Sequence, residues 1–524
     1  MSTRADIEKD LTEGTVEEGA VAAGPAAATS AEEAPATDPQ AEAEAADAGA
    51  DPAALRAEAL ELAQEAAADN DVAAAIYHID VALGTFGASP AAEGEDADEA
   101  EAEDALLRAV LLRERAQLHV WMNSEEAEGA IEAARAALDA LRLSEADRST
   151  LTAQLALVVA WARATTGDPE GGLDEAIAAA ELLWEAGHPA VVDAALVRGL
   201  LGKFARGPET ATLEGVEGLP VELVDTLVER VALLIEHTDP RLALALLLEL
   251  HERLLRLEEP EGPLAPGPRG DAPAPTLRSE QVAALIGQHA ILAAEGEVAV
   301  DAAGWAHRQR LAAGDAAGAI GARLAWGELA LRAGRGDEAL DQLRQALAEV
   351  ERGEGVDPEQ LPGLRLAALW AIAEAHAFLG RHEGAATAYA AAVAAAAAPG
   401  VDPDQAVAVG LDQALHLAAG GQAEAALAGA RSALEAAAEG SPEAQVAQQI
   451  LDNDAFIDPI SGESDRMGLL GARLRLRAPA GLIDGVTADE SGAVEVIFAR
   501  WPTTGDAGRA RLLVEAGLRT LALG

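Results

Sequence analysis

Small side chains recur at fixed offsets along this chain, and this recurrence limits the possible folds more than any other feature of the sequence. Four stretches share it, and their small residues are Gly327, Ala339 and Ala346; Ala373, Ala385 and Ala392; Ala414, Ala426 and Ala433; and Ala63, Ala75 and Ala82. Gly334, Gly380, Gly421 and Asn70 stand at the matching place between the first and second member of each set.

The segments on either side of these Gly and Asn residues carry apolar side chains at helical spacing. Gly and Asn tolerate the positive φ of a tight turn between two helices. Antiparallel helices cross closely only where small side chains occupy the crossing points, so the pattern predicts an all-α fold built from stacked helical hairpins.

This spacing resembles that of the tetratricopeptide repeat (TPR) family, which has small residues at the eighth, twentieth and twenty-seventh positions of each hairpin. The resemblance is clearest over 317–435 and 53–83, and it is looser over 105–140 and 149–186. The units are longer than the family's 34 residues, and the excess lies in loops such as 351–362. The resemblance implies a helical-repeat solenoid whose inner groove, lined by the first helix of each hairpin, binds an extended peptide or a partner helix.

The family's groove-facing positions fall on eight residues of the two best units, and all of these except Ala377 are predicted to bind a partner. These predicted partner-binding residues are Leu324, Glu328, Leu331, Arg332, Trp370, Glu374 and Phe378. The last three recur every four residues, so a helix places them on one face. Aromatic residues in such a groove are typical anchors for a partner, although the same spacing also suits aromatics packed between helices. The Lys and Asn residues with which some TPR proteins clamp a C-terminal carboxylate do not stand at the matching positions.

Composition divides the chain into five segments. Residues 1–50 have no apolar periodicity and predict a disordered acidic tail. Residues 51–257 predict an N-terminal helical-repeat array that ends in helices at 190–206, 219–237 and 239–257. A Pro/Gly-rich linker is expected at 258–276 and a TPR-like array at 277–450.

The last segment, 451–524, is expected to be a small α+β unit. Arg473, Arg475 and Arg477 alternate with leucines in 472–478, and 493–501 also alternates, so we expect a strand in each and turns at Asp484-Gly485 and Ser491-Gly492. A helix is expected at 507–523. Because a two-stranded sheet is marginal alone, the unit should pack on the last helices of the array.

Charge restricts the partners. The chain has 90 Asp+Glu against 37 Lys+Arg, a net charge of −53, which opposes nucleic-acid phosphate and anionic lipid. We interpret the arginines at 473–477 as a solvated strand face that forms charge pairs with the acidic helices, in preference to a nucleic-acid site. We therefore expect a protein or peptide partner, basic or Arg-rich, and no binding to nucleic acid or membrane; the oligomeric state stays open.

Known catalytic and metal-binding patterns are incomplete here. A phosphate-binding loop at 199–204 lacks its first Gly, and His251-Glu252 lacks the second His of a zinc protease. The segments 69–71 and 452–454 run into apolar residues instead of completing a calcium loop. We expect no catalytic residue, no cofactor and no metal.

The leading hypothesis is a non-enzymatic protein-interaction scaffold. A cytoplasmic location is expected, because the sequence has no cysteine, no export signal and no convincing membrane span. One alternative is a regulatory or sensor module of a signalling or transcriptional system that lacks its own DNA-binding domain. Another is an enzyme that uses carboxylates of the last segment, with Asp484, Asp489, Glu490 and Glu495 as candidate acids.

Overall fold

The structure is a computed structural model in which two compact units divide between Thr212 and Leu213. It describes residues 52–68, 72–86, 97–122, 124–141, 144–213, 216–258, 278–458, 460–461, 464–479, 482–488, 494–499 and 502–521. The predicted tail at 1–50 lies outside these residues, and so does the predicted linker except for its first residue.

The first unit is helical throughout its described part. Its helices are α1 (Pro52–Ala68), α2 (Val72–Gly84), α3 (Ala97–Trp121), α4 (Ala127–Ala140), α5 (Glu145–Thr165), α6 (Pro169–Glu185) and α7 (Val191–Arg206). Each helix packs against the next one in the chain. Sequential packing of this kind is the mark of hairpins stacked one on another.

The second unit is also built mainly from helices that pack in sequence. Its array consists of α8 (Val221–Glu236), α9 (Pro240–Leu257), α10 (Arg278–Leu292), α11 (Gly296–Ala313), α12 (Ala316–Arg332), α13 (Gly336–Arg352), α14 (Leu361–Phe378), α15 (His382–Ala396), α16 (Pro403–Ala419), α17 (Ala423–Ala436) and α18 (Pro442–Asp452). From α9 onward each helix packs on its successor, and α8, α10, α12 and α14 also contact one another in turn. We call the surface formed by α8, α10, α12, α14 and α16 the first-helix face.

Small residues lie where the two helices of a hairpin meet. Ala339, Ala373, Ala385 and Ala426 are each 0% exposed. A Cβ on Gly327 would lie 2.6 Å from Cγ of Leu343, so that crossing has no room for a larger side chain. The predicted turn glycines of these hairpins, Gly334, Gly380 and Gly421, have φ values of 78°, 69° and 73°. The predicted hairpin spacing is confirmed over 316–436.

A short α+β segment follows the array. It contains α19 (Arg466–Arg477), β1 (Ile483–Ala488), β2 (Val494–Phe498) and α20 (Thr504–Thr520), and the two strands pair antiparallel. The second predicted strand and the final helix are confirmed. The predicted turn at Asp484-Gly485 is wrong, because both residues lie in β1 where the pairing register shifts.

The predicted strand at 472–478 is also wrong, because these residues belong to α19. Arg473 and Arg477 are four residues apart, and this interval returns a side chain to the same side in both a helix and a strand. A five-residue alternation therefore fits either structure. Asp465 caps the helix by accepting a hydrogen bond from the Gly468 amide, which fixes its start.

The α+β segment has two apolar contacts. One is internal, where Leu470 and Leu474 of α19 pack with Ile483 of β1 and Ala510 of α20. The other joins it to the array, where Leu469 and Ala472 share a core with α16, α17 and α18. The predicted packing of this segment on the last helices is confirmed. Within the described helices no stretch is long and apolar enough to cross a membrane.

Candidate interaction surface

The seven predicted partner-binding residues lie on α12 and α14 of the second unit. Leu324 and Leu331 are buried in the hydrophobic core of the array. Glu328 and Arg332 are exposed, one turn apart on α12. Trp370, Glu374 and Phe378 are half-buried on α14, and each contacts the C-terminal α+β segment of the same chain.

Trp370 is held from two sides. Its indole Nε1 donates a hydrogen bond of 2.8 Å to Oδ2 of Asp412 on α16. The guanidinium carbon of Arg477 lies 4.1 Å from the centre of its ring, which is a cation–π arrangement. The indole therefore links α14, α16 and α19.

Asp412 is the centre of this contact and is completely buried. Besides Trp370, its carboxylate accepts hydrogen bonds from the Tyr389 hydroxyl at 3.2 Å, from Nη2 of Arg477 at 2.8 Å, and from Nη1 of Arg473. Burial by itself would raise the pKa of Asp412, but Arg473, Arg477 and the indole N–H outweigh it and lower the pKa to about 2. The carboxylate is ionised across the physiological range.

Glu374 completes a network of two carboxylates and two guanidinium groups. Its Oε1 lies 2.6 Å from Nη2 of Arg473 and 2.5 Å from Nη2 of Arg477. The four formal charges sum to zero, as a buried network requires. Such a network adds little net stability compared with apolar packing, but removing one member is costly, so its main effect is to fix the position of α19 on α14 and α16.

A second contact lies at α20. Nη1 of Arg509 is 2.9 Å from Oε1 of Glu236 at the end of α8, and the guanidinium of Arg519 lies 4.9 Å from the Phe378 ring centre. Both arginines belong to α20, which packs on α8, α10 and α14 as well as on α19. Helix α20 therefore runs along part of the first-helix face.

Glu328 differs from the other acids of this surface. Its side chain is exposed, and it forms no hydrogen bond or ion pair with any residue that the structure describes. Its pKa is raised by desolvation from the surrounding protein and by the Glu374 carboxylate, and Arg332 and Arg477 oppose this.

Asp412, Arg473 and Arg477 are the residues that the sequence analysis did not assign to this surface. Asp412 gives one signal, because it follows Leu411 directly and comes just before Ala414-Leu415, and a carboxylate among core residues needs buried partners. The predicted charge pairing of Arg473 and Arg477 with acidic helices is confirmed. The expectation that their face is solvated is wrong for Arg473, which is 5% exposed.

The candidate acids of the α+β segment do not form a cleft where they are described. Asp484 lies on β1 with an exposed side chain, and Glu495 lies on β2 opposite Thr487 and is also exposed. Asp489 and Glu490 lie outside the described residues. Over the described part of the chain, no three His, Asp or Glu side chains are grouped so that they could hold a metal ion.

Stacked hairpins with a shared register of small residues define this chain as a helical repeat protein. No protein-family profile matches the sequence, and no curated protein matches it. Sixteen chains of solved structures match. One is described as a circular tandem repeat protein with novel repeat topology and enhanced subunit contact surfaces. Its sequence is 14% identical to this one, and the match covers 79% of this chain and 95% of that chain with a TM-score of 0.19.

Proposed function

We propose that this protein is a non-enzymatic protein–protein interaction scaffold of TPR-like hairpins, which binds a peptide or partner helix along the first-helix face of its second unit. The observation that carries the proposal is the contact between this face and the arginines of α19 and α20. The face offers two aromatic rings and several carboxylates in one strip, and guanidinium groups bind to both kinds of group.

The proposed partner is basic or Arg-rich, and two features support this. Trp370, Glu374 and Phe378 already contact arginine side chains, so the surface has the geometry that a guanidinium needs. The net charge of −53 attracts a cationic partner and repels acidic ones, with its main effect on the association rate.

The open part of the surface is at Glu328 and Arg332. In the proposal the exposed Glu328 carboxylate receives a cationic side chain of the partner, because no residue that the structure describes forms a hydrogen bond or ion pair with it. Leu324 and Leu331 act through the core beneath it, since both are buried.

Affinity purification with a charge reversal tests the proposal. The tagged full-length protein, its Glu328→Lys variant and a control variant Asp341→Lys are incubated with native cytosol at low ionic strength, and the retained proteins are quantified by mass spectrometry. Asp341 is an exposed acid on α13 of the same hairpin, so the two variants have the same net charge.

We expect a set of basic proteins to bind the wild type and the Asp341→Lys variant, and to be reduced about tenfold or more on Glu328→Lys, which corresponds to about 1.4 kcal/mol. The bound set should also elute when salt is raised, because the attraction is screened. Equal retention by all three proteins would contradict the proposed surface, and the absence of any enriched protein would contradict the scaffold function.

A further inference from the structure

The two strands of the C-terminal sheet have different outer edges. Each strand pairs with the other along one side, so each has a second side whose backbone groups are available for pairing. On β1 the pairing register shifts between Ile483 and Gly485, and such a bulge bends an edge away from further pairing. Nε of Arg475 also donates a hydrogen bond of 2.7 Å to the backbone oxygen of Asp484 in this bulge. The outer edge of β1 is therefore distorted and partly occupied.

The outer edge of β2 is regular. The strand runs from Val494 to Phe498 with no proline and with no extra residue on its own side of the pairing. In the part of the chain that the structure describes, the backbone of β2 forms hydrogen bonds with β1 alone. Helix α19 packs closely on β1, whereas the close neighbour of β2 is β1. An edge of this kind is a template for one more strand.

The alternation of hydrogen bonds along β2 shows which backbone groups face this edge. The amide of Ala499, directly after β2, donates to the oxygen of Leu482, directly before β1. Because antiparallel pairing alternates, Ile497 and Glu495 also bond toward β1, and the residues between them point away from it. The residues that point away, which we call the open edge, are Val494, Val496 and Phe498.

The side chains beside the open edge have room for a neighbour. Val494, Val496 and Phe498 pack on the apolar cluster of the α+β segment, but they stay half-buried. A strand placed next to them would remove more of their apolar surface from water. On the other face of the sheet Glu495 is exposed and Ile497 is 44% exposed. A third strand would therefore have one face toward apolar side chains and one face toward a carboxylate and solvent.

We propose that the open edge of β2 binds an extended segment of a partner protein, which adds a third strand to the sheet and in which apolar residues alternate with basic ones. The apolar residues lie beside Val494, Val496 and Phe498, and a basic residue lies beside Glu495. Main-chain hydrogen bonds supply affinity in this mode of binding, and the alternating side chains supply specificity. The interface is separate from the first-helix face and does not depend on the function proposed for that face.

Charge selects the partner for this edge. Cross-strand pairs of opposite charge stabilise a sheet, and like charges directly opposite each other destabilise it, so Glu495 favours a cation on the added strand. A second copy of this chain is the other candidate, because two β2 strands would meet antiparallel about Val496. Each copy brings a net charge of −53, however, and such a charge keeps chains apart. A cationic strand from another protein is therefore the occupant that the edge favours.

Binding of a designed peptide to the full-length protein tests the proposal. The probe is a fluorescently labelled seven-residue peptide in which Val alternates with Lys, and it is titrated by anisotropy at low ionic strength. A second peptide has Glu in place of every Lys. The edge is blocked in the variant Val496→Pro, which removes the central outward amide and leaves the hydrogen bonds to β1 in place. The matched control is Val496→Ala, which shortens the same side chain and keeps the amide.

We expect Val496→Pro to weaken binding of the Val/Lys peptide at least about tenfold, and Val496→Ala to weaken it no more than about threefold. Nonspecific attraction of the peptide to the acidic protein is the same for both variants, because neither changes the charge. Circular dichroism checks that both variants are folded. Equal binding by the wild type and Val496→Pro, or no binding to the wild type, would overturn the proposal.

A charge reversal tests the position of the added strand. Glu495→Lys should weaken the Val/Lys peptide and strengthen the Val/Glu peptide, each by at least about threefold relative to the control Glu515→Lys. Glu515 is an exposed acid on α20, so the two variants have the same net charge. Equal effects of the two reversals would contradict a strand placed next to β2, even if the peptide binds.

Hydrogen exchange resolved by residue distinguishes the other possible occupants. In the free wild type we expect the amides of Val494, Val496 and Phe498 to exchange at least about tenfold faster than those of Glu495 and Ile497, and to slow when the Val/Lys peptide saturates the protein. Protection of the three amides in the free protein would mean that the edge is already covered, which would overturn the proposal. A dimer in sedimentation that Val496→Pro dissociates would assign the edge to a second copy and would also overturn it.

Discussion

Replacing Asp412 by Asn tests the energetics of the buried network most directly. The side chain keeps its size and one acceptor oxygen, but it loses the charge and turns an NH₂ group toward a site that already contains the N–H donors of Trp370, Arg473 and Arg477. Breaking a buried charge network by removing one partner costs about 3–5 kcal/mol, and we expect a loss of that size at pH 7.

The dependence on pH identifies the cause of that loss. The pKa of Asp412 falls from 3.8 to about 2 on folding, and this difference corresponds to about 2 kcal/mol of stability. Because the folded-state pKa is the lower one, this contribution is fully present above about pH 4 and is lost as the pH falls through about 2. The difference between the wild type and Asp412→Asn should therefore shrink by about 2 kcal/mol between pH 4 and pH 2.

Urea unfolding followed by circular dichroism at several pH values measures both quantities. Asp404→Asn is the matched control, since Asp404 is an exposed acid on the same helix and should change stability by no more than about 0.5 kcal/mol. A loss below 1 kcal/mol at pH 7, or a difference that does not change on acidification, would refute the account of Asp412 as an ionised, buried partner of two arginines.

Two further predictions concern packing and a buried histidine. Gly327→Ala should destabilise the second unit by about 1–3 kcal/mol, because its Cβ would clash with Leu343. Gly321→Ala on the same helix should stabilise the unit by up to about 1 kcal/mol, because its Cβ meets no atom within 4 Å. Thermal unfolding of the two variants tests whether the two changes in stability have opposite signs. Burial lowers the pKa of His251 from 6.5 to about 4, so the unfolded chain takes up the proton first and about 3 kcal/mol of stability is lost as the pH falls from about 6.5 to 4. His251→Phe, which keeps a ring against Trp305, should remove that part of the acid sensitivity in urea unfolding at pH 7.5 and pH 5, and an unchanged pH dependence would contradict the assignment.

The helical array could be predicted because its determinants are local and repeated. Ala373, Ala385 and Ala392 lie within one hairpin, and their spacing is set by helix geometry alone. Each copy of the pattern is weak evidence in an Ala-rich chain, but copies in register support each other. The bounds of α7 to α9 also agree with the sequence to within two residues.

The contacts of the C-terminal segment could not be predicted in the same way. Arg473 meets Glu374 and Asp412, which precede it by 99 and 61 residues, and no local pattern encodes such a pairing. The alternation around Arg475 also indicated the wrong secondary structure, because the stretch is too short for a helical and a strand period to differ. The missed ion pairs and the wrongly predicted strand have one cause, namely that tertiary contacts decide the structure of this segment.

The distance along the chain between paired groups has a consequence for how the protein is made. Arg509 pairs with Glu236 across 273 residues. The two arginines that bind Asp412, Arg473 and Arg477, are translated 61 and 65 residues after it. Hairpins of the array can form while the ribosome is still working, because their contacts are local. The carboxylates of Glu236, Glu374 and Asp412 then stay hydrated until residues 466–520 have been synthesised, so the charges of the second unit are balanced only after that segment has been made.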